Sequence, residues 1–229
     1  MVKTNFNSRK AVFVRRLVEE GKNDRVDFDI YDFLLAFNKS LSDYYTTSSC
    51  SGRIAIAKAP RLSYSKGSSL FKFVVKWHRP VTYSEVINVL SGINGNAWLL
   101  VRAPIMHFVT RDLEGALLIL RLAREAGFKH SGIYSVTRDG VVVEVQGEDR
   151  FEVPIMINGE PIIPTESLRR IIDTANETLM FGKFRLAHLI RLIEVKLLGK
   201  AELGYMPKTY FQESYREFNI SSASLEKLA

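Results

Sequence analysis

The chain has 229 residues, of which 46% are hydrophobic and 25% are charged, a composition typical of a soluble protein whose core is large enough to fold without disulfides. No apolar run approaches the ~20 residues that span a bilayer. The basic N-terminus lacks the apolar segment of a secretory signal, so we expect a cytoplasmic protein outside the membrane. The net charge of +7 favours a polyanionic partner. Cys50 is the only cysteine, which excludes an internal disulfide and a cysteine-based zinc site, and no metal is expected.

Apolar residues at helical spacing predict five helices. Gly21 is expected to end the first helix, and Asp27 is a good N-cap for the second. Thr82 and Glu85 form a capping box at the start of the third. The last helix is long and carries Lys183 on its polar side. The predicted helices are 7–22, 27–41, 81–90, 112–126 and 164–198.

Segments in which apolar and polar residues alternate, or which are rich in residues favoured in strands, predict β-strands. Most of these strands come in adjacent pairs. Asp139-Gly140 predicts a type I′ hairpin turn, and Asn158-Gly159 predicts a second hairpin. Paired strands favour an α+β fold with a mostly antiparallel sheet or partial barrel, in a single domain over 1–229. No G-x-G-x-x-G sequence is present, so the fold is expected to be non-Rossmann. The predicted strands are 53–58, 70–77, 97–101, 105–110, 133–137, 141–146 and 153–157.

Two Ser-Gly dipeptides suggest an internal duplication. Ser51-Gly52 and Ser131-Gly132 each precede a predicted strand, and two strand-strand-helix units lie between them. A duplication would bring both turns to one end of the sheet. The alternative is coincidence, because Ser-Gly commonly opens turns.

The hydroxyl-rich stretch T-T-S-S-C-S-G-R-I, residues 46–54, is the strongest local signal. Small hydroxyl residues and a glycine allow successive backbone N–H groups to surround a phosphate or a carboxylate, and Arg53 can bind an anion through two hydrogen bonds. The alternative is a polar loop whose side chains cap the neighbouring helix.

Two histidines lie at the ends of predicted strands. His78 falls in the sequence K-W-H-R-P, where Lys76, Trp77 and Arg79 combine cations with a stacking surface suited to single-stranded RNA. The alternative is an edge strand with a tryptophan in the core. His107 follows R-A-P-I-M near the start of the predicted strand 105–110 and is either a base or a structural hydrogen-bonding residue.

These motifs together resemble the wybutosine-synthesising protein 3 family of tRNA-Phe wyosine methyltransferases. The resemblance covers most of the chain, and T-T-S-S-C-S-G-R-I is its most specific part. Arg102-Ala103 departs from the family, which usually has Glu-Pro there, so an acidic group of relatives is missing at this position. The other matching segments are Asp27 with the helix to Asn38, Asp43, Trp77-His78, Asn94-Gly95, His107, Gly127-Phe128, Ser131-Gly132, 151–154 and the long final helix.

The resemblance implies an S-adenosylmethionine-dependent methyltransferase with a non-Rossmann fold. Members of this archaeal and eukaryotic family methylate N4 of the tricyclic base made from guanosine 37 of tRNA-Phe, in wybutosine biosynthesis. Because the attacking nitrogen must lose a proton, His78 or His107 is the expected base, with Asp27 a weaker candidate. Lys76, Trp77 and Arg79 are expected to hold the anticodon arm. The expected cofactor-binding residues are Ser48, Ser49, Ser51, Gly52, Arg53, Ser131 and Gly132.

Three other classes of function remain open from the residues. An RNA-binding module without catalysis fits the basic charge. A hydrolase could use Cys50 or a serine as its nucleophile, although a buried or ligand-facing thiol fits Cys50 better. A structural subunit of an assembly has no coiled-coil or low-complexity signal in its favour.

Overall fold

The computed structural model describes residues 5–61 and 70–200, and these residues form two compact units. Unit 1 contains 5–52, 103–148 and 182–200, and unit 2 contains 53–61, 70–102 and 149–181. The single-domain prediction stays a prediction. The helices are α1 Phe6–Lys22, α2 Phe28–Ser40, α3 Tyr83–Leu90, α4 Leu113–Glu125 and α5 Thr165–Lys196. The strands are β1 Tyr44–Cys50, β2 Arg53–Lys58, β3 Lys72–Trp77, β4 Ala97–Arg102, β5 Ile105–Thr110, β6 Gly132–Thr137, β7 Gly140–Gln146, β8 Phe151–Ile157 and β9 Glu160–Pro161.

Unit 1 is built on a four-stranded antiparallel sheet in the order β1-β5-β7-β6. Its main core includes Phe37 and Phe108, whose rings meet edge to face at 5.3 Å, together with apolar residues of α4 and of α5 beyond Gly182. A smaller cluster joins Phe6 of α1 to Tyr45 and Val109 of the sheet. Helices therefore cover apolar parts of the sheet, as amphipathic elements must.

Unit 2 contains a five-stranded antiparallel sheet in the order β3-β2-β4-β8-β9. Its central strands are buried on both sides, with Ile54 and Ile56 in one apolar cluster and Ala55 and Ala57 in another. Residues of α3 and of α5 up to Leu179 complete the larger cluster. This continuous burial explains why 53–58 is apolar except at its two charged ends.

The predicted α+β class, antiparallel pairing and long final helix are confirmed. The two sheets of the described residues do not close into a barrel, and the internal duplication stays a prediction. The first helix runs through Gly21 to Lys22. A Cβ on Gly21 would lie 2.2 Å from the ring of Tyr31, so this glycine permits close helix packing rather than ending the helix.

The two hairpin turns differ. Asn158 and Gly159 have φ of +53° and +85°, as a type I′ turn requires. At Asp139-Gly140 only the glycine has positive φ, at +130°, so the type I′ prediction is wrong there. A Cβ on Gly140 would lie 2.5 Å from the carbonyl oxygen of Thr110, and close backbone approach therefore explains the glycine.

No helix of the described residues has both the length and the apolar character needed to cross a membrane.

The capping box of α3 gives a pH-dependent prediction. Glu85 accepts hydrogen bonds from Arg79 at 2.5 Å and from the Thr82 backbone N–H at 2.8 Å. The Arg79 guanidinium, followed by that N–H, lowers the pKa of Glu85 from 4.5 to about 2. A depressed folded-state pKa stabilises the fold above about pH 4.5, and this stabilisation is lost as pH falls toward 2.

We expect Glu85→Gln to lower the free energy of unfolding by about 1 kcal/mol at pH 7, because the ion pair is partly exposed. The deficit should shrink near pH 2, as thermal unfolding at both pH values would measure. Glu166→Gln is the control, because its pair with Arg170 is 3.7 Å long and highly exposed. An equal deficit at both pH values would contradict the assignment to the ionised carboxylate.

Candidate active site on the hydroxyl-rich strand

The hydroxyl-rich stretch is a strand for most of its length. Residues 44–50 form β1 and pair with β5, so the expected loop or backbone anion nest is wrong over 46–50. Tyr45 is buried with its ring 5.1 Å from that of Phe6, which fixes the strand against α1. Thr46 is also structural, because Asn38 accepts its backbone N–H and donates to its hydroxyl, at 2.8 and 2.7 Å.

A bulge in β1 aims Ser48 at His107. Thr46 pairs with Phe108 and Ser49 with Met106, so two residues, 47 and 48, lie opposite His107 alone. Such a bulge redirects a side chain that regular alternation would place elsewhere. The Ser48 hydroxyl oxygen lies 2.9 Å from Nδ1 of His107.

His107 also contacts an acidic partner on the next strand. Glu144 of β7 is its register partner, and the Glu144 carboxylate lies 3.0 Å from His107 Nε2. Gly132 of β6 is the register partner of Glu144 on the other side. A second bulge makes Tyr134 the extra residue of β6, and its ring stands edge to face with the imidazole at 6.0 Å. Thus Ser48, His107, Glu144 and Gly132 form one row across the sheet of unit 1.

A pocket of about 380 Å³ adjoins β1, and Ser48 and Ser49 contribute to its wall. The Ser49 hydroxyl is buried and has no hydrogen-bond partner among the described residues. The volume is in the range of small-molecule sites. The remaining lining comprises Phe13, Arg16, Leu17, Glu20, Arg25, Val26, Leu34, Thr46 and Thr47.

The turn after β1 is held by two acidic residues and a buried lysine. Asp27 precedes α2 without a side-chain capping bond, and its carboxylate instead accepts the backbone N–H of Ser51 at 2.6 Å. Lys183 donates to the Ser51 hydroxyl at 2.8 Å and forms an ion pair with Asp29. Lys183 is only 2% exposed, so its predicted place on the polar side of α5 is wrong. Gly52 follows at φ +93°, which glycine adopts readily.

Ser131 precedes β6, next to the row of polar residues described above. Its side chain is buried, and its hydroxyl has no partner among the described residues. Gly132 has no atom within 4 Å of the place a Cβ would occupy. Gly132 therefore lies in the same row of unit 1 as His107 and Ser48, but two strands, β5 and β7, separate β6 from β1.

Unit 2 holds the remaining predicted site residues. Arg53 lies opposite Arg102 in the β2–β4 pairing, its guanidinium is 5.3 Å from the ring centre of Phe73, and its buried Nε has no described partner. Arg102, at the position that departs from the resembled family, pairs with Glu152.

The basic and aromatic segment of unit 2 lies at an edge of its sheet. Trp77 is partly buried against the apolar cluster of this unit, and Lys76 stands 4.7 Å above the ring of Phe73. Arg79 is engaged with Glu85. His78 is half-buried just after β3. The alternative of an edge strand with a packed tryptophan therefore describes Trp77, while the RNA-binding assignment stays a prediction.

Comparison with known proteins shows the family. The family model described as Methyltransferase TYW3 matches residues 8–195. This chain belongs to the TYW3 methyltransferase family. The resemblance drawn from the hydroxyl-rich stretch and the motifs around it is confirmed.

Individual TYW3 relatives match over nearly their whole length. A protein of Thermococcus kodakarensis is 37% identical over 83% of this chain and 94% of its own, and is named tRNA(Phe) 7-((3-amino-3-carboxypropyl)-4-demethylwyosine(37)-N(4))-methyltransferase 1. An Archaeoglobus fulgidus protein with the corresponding methyltransferase name is 38% identical over 76% of this chain and 87% of its own. The PH1069 protein of Pyrococcus horikoshii has a solved structure with a TM-score of 0.77 and 34% identity, covering 82% of this chain and 96% of that one.

Sequence reasoning missed two residues of this candidate site. Glu144 is the one charged side chain in the apolar run V-V-V-E-V of β7. A lone charge within an apolar strand could have marked it as a candidate site residue. Its partnership with His107 depends on the β5–β7 register, which local sequence does not reveal. Lys183 gave no signal, because a lysine on a helix is normally exposed.

Proposed function

We propose that this chain uses S-adenosylmethionine to methylate N4 of the wyosine-type tricyclic base at position 37 of tRNA-Phe. The observation that carries the proposal is the match of nearly full-length relatives that bear this methyltransferase name. The activity would serve wybutosine-derivative biosynthesis in the cytoplasm of an archaeal-type system. The comparisons give no support to an RNA-binding module without catalysis.

The residues of unit 1 fit a methyl donor with a polar amino-acid end. The unsatisfied hydroxyls of Ser49 and Ser131 are buried polar groups that a ligand could satisfy. Arg16 and Glu20 of the pocket form an ion pair with each other at 2.7 Å, and exchange of that pair would offer a cation to a carboxylate and an anion to an ammonium. When bound, S-adenosylmethionine supplies an electrophilic methyl group on a sulfonium. We assign its binding to Ser48, Ser49, Ser51, Gly52, Arg53, Ser131 and Gly132.

The chain's own contribution to the reaction is to position the base and accept its proton. His78, His107 and Asp27 are the proposed acceptors. The contacts of His107 with Ser48 and Glu144 support it as an acceptor. The carboxylate of Asp27 accepts the Ser51 N–H, which supports a role in shaping the turn.

The anticodon arm of tRNA is proposed to bind Lys76, Trp77 and Arg79. The charge of +7 supports a phosphate-rich partner. Because Arg79 is paired with Glu85, its use by a phosphate requires exchange of that ion pair. Binding through such contacts should weaken steeply as salt rises.

Calorimetry and tRNA mass spectrometry test the proposed function together. We expect S-adenosylmethionine to bind, and tRNA-Phe with the 4-demethylated tricyclic base to gain the mass of one methyl group on that base. The matched control is tRNA-Phe with unmodified guanosine at position 37, which should gain none. Binding of tRNA without binding of S-adenosylmethionine would contradict the proposal and favour the RNA-binding alternative.

A further inference from the structure

We propose that Ser48, His107 and Glu144 form a proton relay for this methyl transfer, an inference that rests on the proposed function. In this relay the Ser48 hydroxyl takes the proton of the attacking ring nitrogen, and His107 takes the proton of Ser48. Glu144 acts as a positioning residue that holds the imidazole.

The hydrogen bonds of His107 fix which ring nitrogen accepts the proton. An ionised carboxylate only accepts hydrogen bonds, so the Glu144 oxygen at 3.0 Å requires a hydrogen on Nε2. In the neutral ring Nδ1 then has a free lone pair, and the Ser48 hydroxyl at 2.9 Å can donate to it. The ring is thus held in the tautomer that activates Ser48.

The same contacts also satisfy the protonated ring. Once Nδ1 carries a hydrogen, it faces the Ser48 hydroxyl oxygen at 2.9 Å and the Ser48 backbone carbonyl at 3.4 Å, and both can accept. Nε2 continues to donate to Glu144. No side chain has to rearrange when the proton arrives, as preorganised acid–base catalysis requires.

Exposure decides the order of the relay. The side chain of His107 is 19% exposed, whereas Ser48 is an exposed residue, so a substrate base meets the hydroxyl first. Tyr134 is 70% exposed beside the imidazole. An exposed aromatic ring offers a surface on which a nucleobase stacks. The two bulges therefore place a proton acceptor and a stacking ring next to each other on the sheet of unit 1.

The atoms of the step balance without a further reactant. The N–H bond of the substrate breaks, its proton joins the Ser48 oxygen, and the former Ser48 proton joins His107 Nδ1. The electron pair left on the ring nitrogen forms the bond to the methyl carbon, whose bond to sulfur breaks with its electrons on sulfur. The imidazolium then releases its proton to water.

Single-turnover methylation at saturating S-adenosylmethionine and tRNA tests the relay. We expect Ser48→Ala and His107→Gln to lose about 10²–10³-fold in rate, and Glu144→Gln to lose about tenfold, since it alters only the support of the ring. Ser135→Ala of β6 and Glu148→Gln are matched controls and should keep the parental rate. A Ser48→Ala rate that is lowered only below saturation and reaches the parental rate at saturating S-adenosylmethionine would overturn the relay and leave Ser48 as a cofactor-binding residue only.

Two further readouts separate positioning from simple structural damage. ¹⁵N NMR of the free protein should show His107 with its hydrogen on Nε2, and this preference should be lost in Glu144→Gln. The acidic limb of the pH–rate profile should move to lower pH in Glu144→Gln and stay in place in Glu148→Gln. A hydrogen on Nδ1 in the parent protein would overturn the inference.

The methylation rates of the parent and the variants also separate the relay from the proposed function. If Ser48→Ala and His107→Gln methylate the tRNA at rates within threefold of the parental rate, the relay is overturned and the proposed function stays intact. An absence of methylation in the parent protein overturns the proposed function and the relay with it, whatever the tautomer shows.

Discussion

Lys183→Met is expected to lower the free energy of unfolding by about 3–5 kcal/mol, because it removes one partner of a buried ion pair. The lysine is buried, while the Asp29 side chain retains 23% exposure, which places the effect at the lower end of that range. The Ser51 hydroxyl loses its donor in the same variant. Equilibrium unfolding in urea measures the loss.

Two variants control the Lys183 experiment. Lys196→Met changes an exposed lysine on the same helix and should leave stability nearly unchanged. Adding Asp29→Asn to Lys183→Met removes the isolated carboxylate and should restore part of the lost stability. Unfolding of Lys183→Met at the parental urea concentration would show that the ion pair contributes nothing.

Arg53→Ala is expected to reduce the affinity for S-adenosylmethionine or for tRNA by about 10–100-fold, the effect of removing a charge-assisted double hydrogen bond to an anion. Its Nε is buried without a described partner, and it lies opposite Arg102 on the neighbouring strand. Like charges placed directly opposite each other destabilise a sheet. The variant should therefore keep or slightly gain stability while it loses binding.

The Arg53 experiment separates a role in binding from a role in stability, because Arg53→Ala should weaken binding without lowering stability. Calorimetry with each ligand identifies which anion the arginine holds. Arg53→Lys should recover little affinity, because an ammonium cannot reproduce the planar fork of a guanidinium. Arg25 is an exposed arginine that lines the pocket of unit 1. Arg25→Ala therefore shows whether an arginine of that pocket contributes to the affinity for either ligand as Arg53 does. Parental affinity for both ligands in Arg53→Ala would remove Arg53 from the site.

Local signals in the sequence were sufficient for many of the elements. The Thr82–Glu85 capping box starts α3 as predicted, and Asp112 caps α4. The strands 53–58 and 105–110 have the predicted bounds. These features depend on residues within about four positions of one another, so the necessary interactions can be read directly from the chain.

The hydroxyl-rich stretch shows a limit of structure prediction from local sequence. Its composition matched a loop, yet 44–50 is a strand, because pairing with β5 and burial of Tyr45 outweigh weak local preference. The bulge opposite His107 comes from that pairing as well. Composition identified the segment as important but gave the wrong conformation for it.

By itself the sequence determined the α+β class, the order of most elements and the family, and it proposed His107 and Ser48 as candidate site residues. Only the tertiary structure decided that His107 faces Glu144, that Ser48 turns toward Nδ1 and that Lys183 is buried with Asp29. Caps and tight turns are contacts between near neighbours in the chain. Strand register and helix burial join residues tens of positions apart, and their geometry is set by how the whole unit packs.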